Sequence, residues 1–114
     1  LKQEIRSYFN EVQRAFAAGN PGALTVLYSP SITRPMTYQE IRAWGEKFFG
    51  EHKNAHFRIA ALDFVELGYL RAVVTVTYRV ETPGAKGDFG GSERDTMVKK
   101  RGRWYIASWE KVSP

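Results

Sequence analysis

Apolar side chains open the chain at helical spacing: Ile5, Tyr8, Phe9, Val12, Ala15 and Phe16 share one side, with Lys2, Glu4, Arg6, Asn10, Glu11, Gln13 and Arg14 on the other. The pattern predicts an amphipathic helix ending at Gly19, where a left-handed C-cap costs little. Asn20 and Pro21 form an N-cap and first-turn pair, so a second, short helix restarts there and carries Leu24, Val26, Leu27 and Tyr28. Pro30 and Pro35 bracket a loop with at most a short edge strand at Ser31 to Arg34, because neither proline can donate to a ladder. Thr37 with Glu40 three residues on makes a capping box, and the stripe Tyr38, Ile41, Trp44, Phe48 and Phe49 predicts a third helix closing at Gly50.

After Gly50 the period drops to two. Ala55 to Leu67, Tyr69 to Thr82, roughly Gly91 to Lys100, and Arg103 to Val112 read as strands. Gly68 and Gly102 suit tight reversals, and Pro83 to Gly91 a longer, flexible hairpin connection. In the last run Trp104, Ile106, Ser108, Glu110 and Val112 alternate with Tyr105, Ala107, Trp109 and Lys111. Both sets hold large apolar groups, so this strand is expected to be covered on both faces. Helices first and a mostly antiparallel sheet after them give an α+β fold in a single domain over residues 1–114, with the sheet strongly curved around the long third helix.

Composition then narrows the chemistry. The 114 residues suffice for one core, and 43% apolar with 14% aromatic content suits a globular protein. No apolar run approaches the ~20 residues of a membrane span, so a soluble chain without a membrane partner is expected, cytoplasmic or exported. Leu1 in place of Met points to an N-terminus trimmed from a longer product. The absence of cysteine excludes disulfides, thiolate metal sites and cysteine nucleophiles. A net charge of +5 would draw an anionic partner, yet it is also ordinary for solubility. The basic knot Lys99, Lys100, Arg101 and Arg103 has no interleaved aromatic platforms, so no nucleic-acid partner is expected and deterrence of edge pairing explains it better. His52 and His56 lie past the third helix with no third ligand nearby, so no metal and no other cofactor is expected. Asp88, Phe89 and Gly90 match the kinase metal-binding triplet by chance.

Helices followed by long strands, the Asn20-Pro21-Gly22 start and the ending Gly102-Arg103-Trp104-Tyr105-Ile106 resemble the nuclear transport factor 2-like superfamily over essentially the whole chain. The resemblance implies a cone: a bent sheet wrapped on its helices, with an apolar pocket at the open end. That group includes ketosteroid isomerase, scytalone dehydratase and polyketide cyclases, alongside domains that only bind or dimerise, so the fold underdetermines the function. Pocket chemistry in similar enzymes is acid–base work by carboxyl groups whose pKa values are raised.

Asp63 falls by strand alternation on the face of Ala55, Phe57, Ile59, Ala61 and Val65, and Glu110 on the face of Trp104, Ile106 and Ser108; these two are the candidate general bases. The alternative for Asp63 is a strand-end carboxylate, paired with an arginine or open to water. An arginine matching Arg94 commonly points into the cone in related domains, where it could anchor a carboxylate or phosphate; a salt bridge to Glu110 or Asp63 is the competing role. Tyr28, Tyr38 and Tyr78 as hydrogen-bond donors, with Trp44 and Ser108, complete the expected ligand-binding set. Two departures weigh against catalysis: Ser108 and Glu110 stand where histidines are frequent, and the loop Ser29 to Met36 lacks the carboxylate that relatives place near Ser31.

With Trp104 and Ile106 facing the core, Tyr105 and Trp109 would lie outside beside Val73 and Thr75, a patch that predicts a homodimer through the sheet. The expected function is binding of a small apolar or anionic molecule. The alternatives are an isomerase, dehydratase or cyclase-type enzyme, and a pure protein-interaction module whose cavity is filled by Trp44, Phe48 and Phe49.

Overall fold

The computed structural model describes residues 1–84 and 87–113, so Ala85 and Lys86 of the expected hairpin connection lie outside the described residues. Three helices, α1 (Lys2–Ala18), α2 (Pro21–Thr25) and α3 (Tyr38–Glu51), precede four strands, β1 (His56–Leu67), β2 (Arg71–Glu81), β3 (Phe89–Lys100) and β4 (Arg103–Ser113). The strands form one antiparallel meander in the order β1-β2-β3-β4. No helix of the described residues is long and apolar enough to cross a membrane.

Local chemistry accounts for the element ends. Gly19 takes the left-handed conformation at φ 63° and its N–H closes α1 on Phe16 O. The Asn20 side chain accepts from Ala23 N at 3.0 Å, opening α2 with Pro21 in the first turn. At Thr37 both halves of the capping box form: Glu40 N donates to Thr37 Oγ1 at 3.2 Å and Thr37 N donates to Glu40 Oε1 at 2.8 Å. Arg101 at φ 53° and Gly102 at φ 77° make the two-residue turn between β3 and β4, both central residues left-handed as that hairpin requires.

Three expectations are adjusted. The second helix ends at Thr25; Val26 and Leu27 turn past it, and Tyr28 bridges to β4. There Ile106 N donates to Leu27 O at 3.1 Å and Ser29 N to Ile106 O at 2.8 Å, making Tyr28 a one-residue parallel partner of Ile106. Ser31 to Arg34 forms no strand, since the chain turns there with Ile32 N on Ser29 O at 3.0 Å. And it is α1, rather than α3, that lies against the sheet at β1, while α3 packs on α2.

The sheet carries its irregularities where they matter most. In β1 Ile59 pairs with Tyr78 but Ala61 with Thr77, leaving Ala60 unopposed; Phe64 and Glu66 pair with Val74 and Val73, leaving Val65 unopposed. In β4 Ile106 pairs with Met97 but Ser108 with Thr96, leaving Ala107 unopposed. Each extra residue is a β-bulge, which bends the strand and exchanges its two faces from that point on. The inner face is therefore built by Phe57, Ile59, Leu62 and Phe64 of β1, Ala72, Val74, Val76, Tyr78 and Val80 of β2, and Trp104, Ile106 and Trp109 of β4. Against it α1 places Ile5, Tyr8, Phe9, Val12 and Phe16, the last amid Phe49 and Phe57 at ring separations of 5.2 Å each. Each fully buried aliphatic or aromatic side chain in such a core contributes about 1.5–3 kcal/mol relative to exposure.

Candidate functional site

The β3 strand supplies the polar end of the site. Its inner face follows from Met97, which is fully buried, so alternation carries Asp95 and Glu93 to the same side. Asp95 is 1% exposed and Glu93 half-buried, and both line a cavity of about 200 Å³ between helices and sheet. The rest of the wall is largely apolar: Phe9, Val12 and Phe16 from α1, Leu24 from α2, Met36, Ile41 and Trp44 at and within α3, and Phe57, Val80, Phe89, Ile106 and Trp109 from the strands. Tyr28 and Tyr78 are its other polar lining residues, and among the described residues no Arg, Lys or His takes part.

The electrostatics follow from that wall. Burial, reinforced by the adjacent Glu93 carboxyl, raises the Asp95 carboxyl well above the usual carboxylate range. Asp95 Oδ1 is buried with no hydrogen-bond partner among the described residues, whereas almost all buried polar atoms in folded proteins are satisfied. Glu93 and Asp95 thus place two carboxyl groups at the same end of the cavity. Burial also pushes the Tyr28 and Tyr78 hydroxyls up, with Glu93 and Asp95 adding to the effect, so both phenols stay protonated as donors. Tyr78 is stacked on Phe57 at 5.2 Å, and Tyr28 sits 5.4 Å from Trp109. Trp44, 37% exposed, stacks on Phe48 at 4.9 Å with its rim toward solvent. Chemically the arrangement offers an apolar chamber with an acid pair and two hydroxyls at one end.

Of the residues read from the sequence as ligand-binding, Tyr28, Trp44 and Tyr78 line this cavity. Tyr38 packs half-buried against the core and does not line it. Asp63, Arg94, Ser108 and Glu110 are placed on the opposite face, and these placements correct the expectation. Asp63 follows the Ala60 bulge, so Leu62 and Phe64 turn inward and Asp63 outward, exposed opposite Thr75. Ser108 and Glu110 follow the Ala107 bulge, which sends Trp109 inward instead. Arg94 alternates with Asp95 and meets Glu110 on the outer face at 3.6 Å, an exposed pair of little energetic weight.

The expected outer patch changes accordingly. Val73, Thr75 and Tyr105 are on the outer face, but Trp109 is not. Phe48 and Phe49 are buried in the core beside the cavity without lining it. Glu93 and Asp95 were the residues to find. The signal lay in the run Glu93, Asp95, Met97, where the strand's one methionine marks the inner phase. Asp88, in the fortuitous triplet, holds the turn: its carboxylate accepts from Thr82 N at 2.8 Å and from Arg79 at 3.2 Å.

No protein-family model and no curated protein matches the chain. Solved structures do match it. A candidate scytalone dehydratase from Novosphingobium aromaticivorans superposes with a TM-score of 0.83 at 14% identity, over 99% of this chain and 83% of that one. A candidate calcium/calmodulin-dependent protein kinase II association domain from Xanthomonas campestris gives 0.75 at 21% identity, over 97% and 86%. A candidate dehydratase of the NTF2-like family from Streptomyces avermitilis gives 0.72 at 14% identity, over 96% and 94%. The three differ in what their names assign to them, and identities this low carry architecture and no activity. The chain has the nuclear transport factor 2-like cone fold.

Proposed function

We propose that this domain holds a small, largely apolar molecule in the cavity, with the polar end of the molecule against Glu93 and Asp95, and that two copies associate through the outer face of the sheet. One observation carries the binding reading: a carboxyl oxygen of Asp95 buried without a partner in an otherwise apolar chamber. The anionic ligand allowed by the sequence loses support, because Arg94 faces away and the lining is acidic. Binding is read from the emission of Trp44 and Trp109, both in the wall. A small aromatic ligand is expected to shift that emission saturably in the native protein, and much less in Val12→Phe, which fills the chamber. An unchanged spectrum over millimolar concentrations of neutral, cationic and anionic aromatics would end this reading.

A second reading, an isomerase, dehydratase or cyclase-type enzyme, is supported by the same acid pair. One member can accept a proton while its protonated neighbour, or a tyrosine, donates to a developing oxyanion. In this reading the base is Asp95 or Glu93 in place of Asp63 or Glu110, which sit outside the chamber. Deuterium uptake at the carbon next to the carbonyl of a bound ketone, followed by NMR, tests it. Exchange above the buffer rate that disappears in Asp95→Asn supports catalysis, and exchange equal to buffer across a ketone panel removes it.

A further inference from the structure

Resting on the small-molecule reading above, we propose that the preferred ligand is a lipophilic amine bound as its ammonium ion, its head between Glu93 and Asp95 and its body against the aromatic wall. Three features of the chamber point the same way. First, what Asp95 Oδ1 lacks is a donor. An ammonium brings up to three, while an ether or tertiary amide brings none and an alcohol one.

Second, Glu93 and Asp95 bring two carboxyl groups to one end of a largely apolar lining. Among the described residues no cationic side chain in the lining balances them. Lys111, opposite Glu93 in the ladder, is exposed and outside the lining; the other polar groups facing the pair are the Tyr28 and Tyr78 hydroxyls, and Tyr8 commits its hydroxyl to Leu27 O at 2.6 Å. A cation is the complement this lining lacks, and its attraction to a carboxylate is stronger there than in water. Third, eight of the sixteen lining residues are aromatic, and Trp109, paired in register with Asp95, puts its ring beside the acid. Aromatic faces attract cations, most of all where water is excluded. A neutral ligand of the same shape draws on the apolar wall but on neither the charge nor the ring faces.

A matched series decides it: phenylpropylamine, phenylpropanol and phenylpropanoate share one skeleton and differ in the head group. Calorimetry on the native protein at neutral pH is expected to give the amine about tenfold or more tighter binding than the alcohol, with the carboxylate weakest. In the double variant Glu93→Gln/Asp95→Asn the ratio of amine to alcohol affinity is expected to fall by about tenfold. Alcohol binding equal to or tighter than amine binding overturns the ammonium assignment while leaving the apolar-ligand reading standing. So does an amine preference that survives the double variant, since the amine then sits elsewhere. Failure of all three to bind overturns both. The comparison within the native protein holds even if the variant does not fold.

Discussion

Asp95 occupies a position where burial works against its charge, and its protonation is linked to stability. Because its pKa is raised in the folded state, the favourable contribution is present in full below the unfolded carboxyl value, about pH 4, and is lost as pH climbs through the folded value. Asp95→Asn removes that loss. The variant is expected to be more stable than the native protein near neutral pH, by about 1 kcal/mol or roughly 4 °C in melting temperature, with the gap closing as pH falls toward about 4. Thermal melts of both proteins across that range check the sign, and a gap that widens on acidification would contradict it. Glu4 behaves oppositely. It accepts from Lys99 at 2.8 Å and from Trp104 Nε1 at 2.9 Å, and these bonds lower its pKa, so its tie between α1 and β4 weakens as pH falls.

At the level of elements, most of the order was legible in the residues, and the exchanged faces of β1 and β4 have one cause. Helix ends with side-chain chemistry of their own, such as Thr37 with Glu40 or Asn20 with Pro21, are local and could be read directly. Thr37→Ala is expected to cost about 1 kcal/mol, measurable by chemical denaturation. The alternation of a strand is local too, but a bulge is set by the partner strand and by the curvature of the sheet, and neither is written in the strand's own sequence. Ala60 and Ala107 are small residues with nothing to mark them, yet everything beyond each exchanges faces. That is why Asp63, Ser108 and Glu110 were expected inside and Trp109 outside. In β3, which has no bulge before Met97 on its β2 side, Asp95 could have been placed by alternation alone. Deleting Ala107 should remove the bulge while keeping Ser108 opposite Thr96 and Trp109 opposite Asp95, so that Trp109 stays in the wall. Native-like tryptophan emission with a loss of stability from the lost bend is the expected outcome, and a strongly red-shifted emission would contradict it.

The molecule as a whole presents an outer sheet face of small and polar groups, including Val73, Thr75, Thr77, Ser92, Thr96 and Ser108, with Tyr105 beside them. Val73 is 6% exposed there, held down by its neighbours and apart from the main core. In the proposed dimer a second copy would meet this face, where the exposed Arg94–Glu110 pair offers charges of both signs. The protein is expected to sediment as a dimer at micromolar concentration and Thr75→Arg as a monomer; a native monomer at tens of micromolar would remove the interface. Fold and cavity are separable in these tests, because Thr75 is on one side of the sheet and Asp95 on the other.

The contacts of β4 also set a timetable. Trp104 reaches back to Glu4, Ile106 brackets Leu27 and Ser29, and Trp109 walls the acid pair. On the ribosome these partners are made at opposite ends of synthesis, and contacts this distant along a chain form late. Until residue 109 has emerged, Asp95 stays open to water and keeps the affinity for protons of an ordinary carboxyl. The chamber and the unusual acidity of its floor therefore come into existence in the same late event.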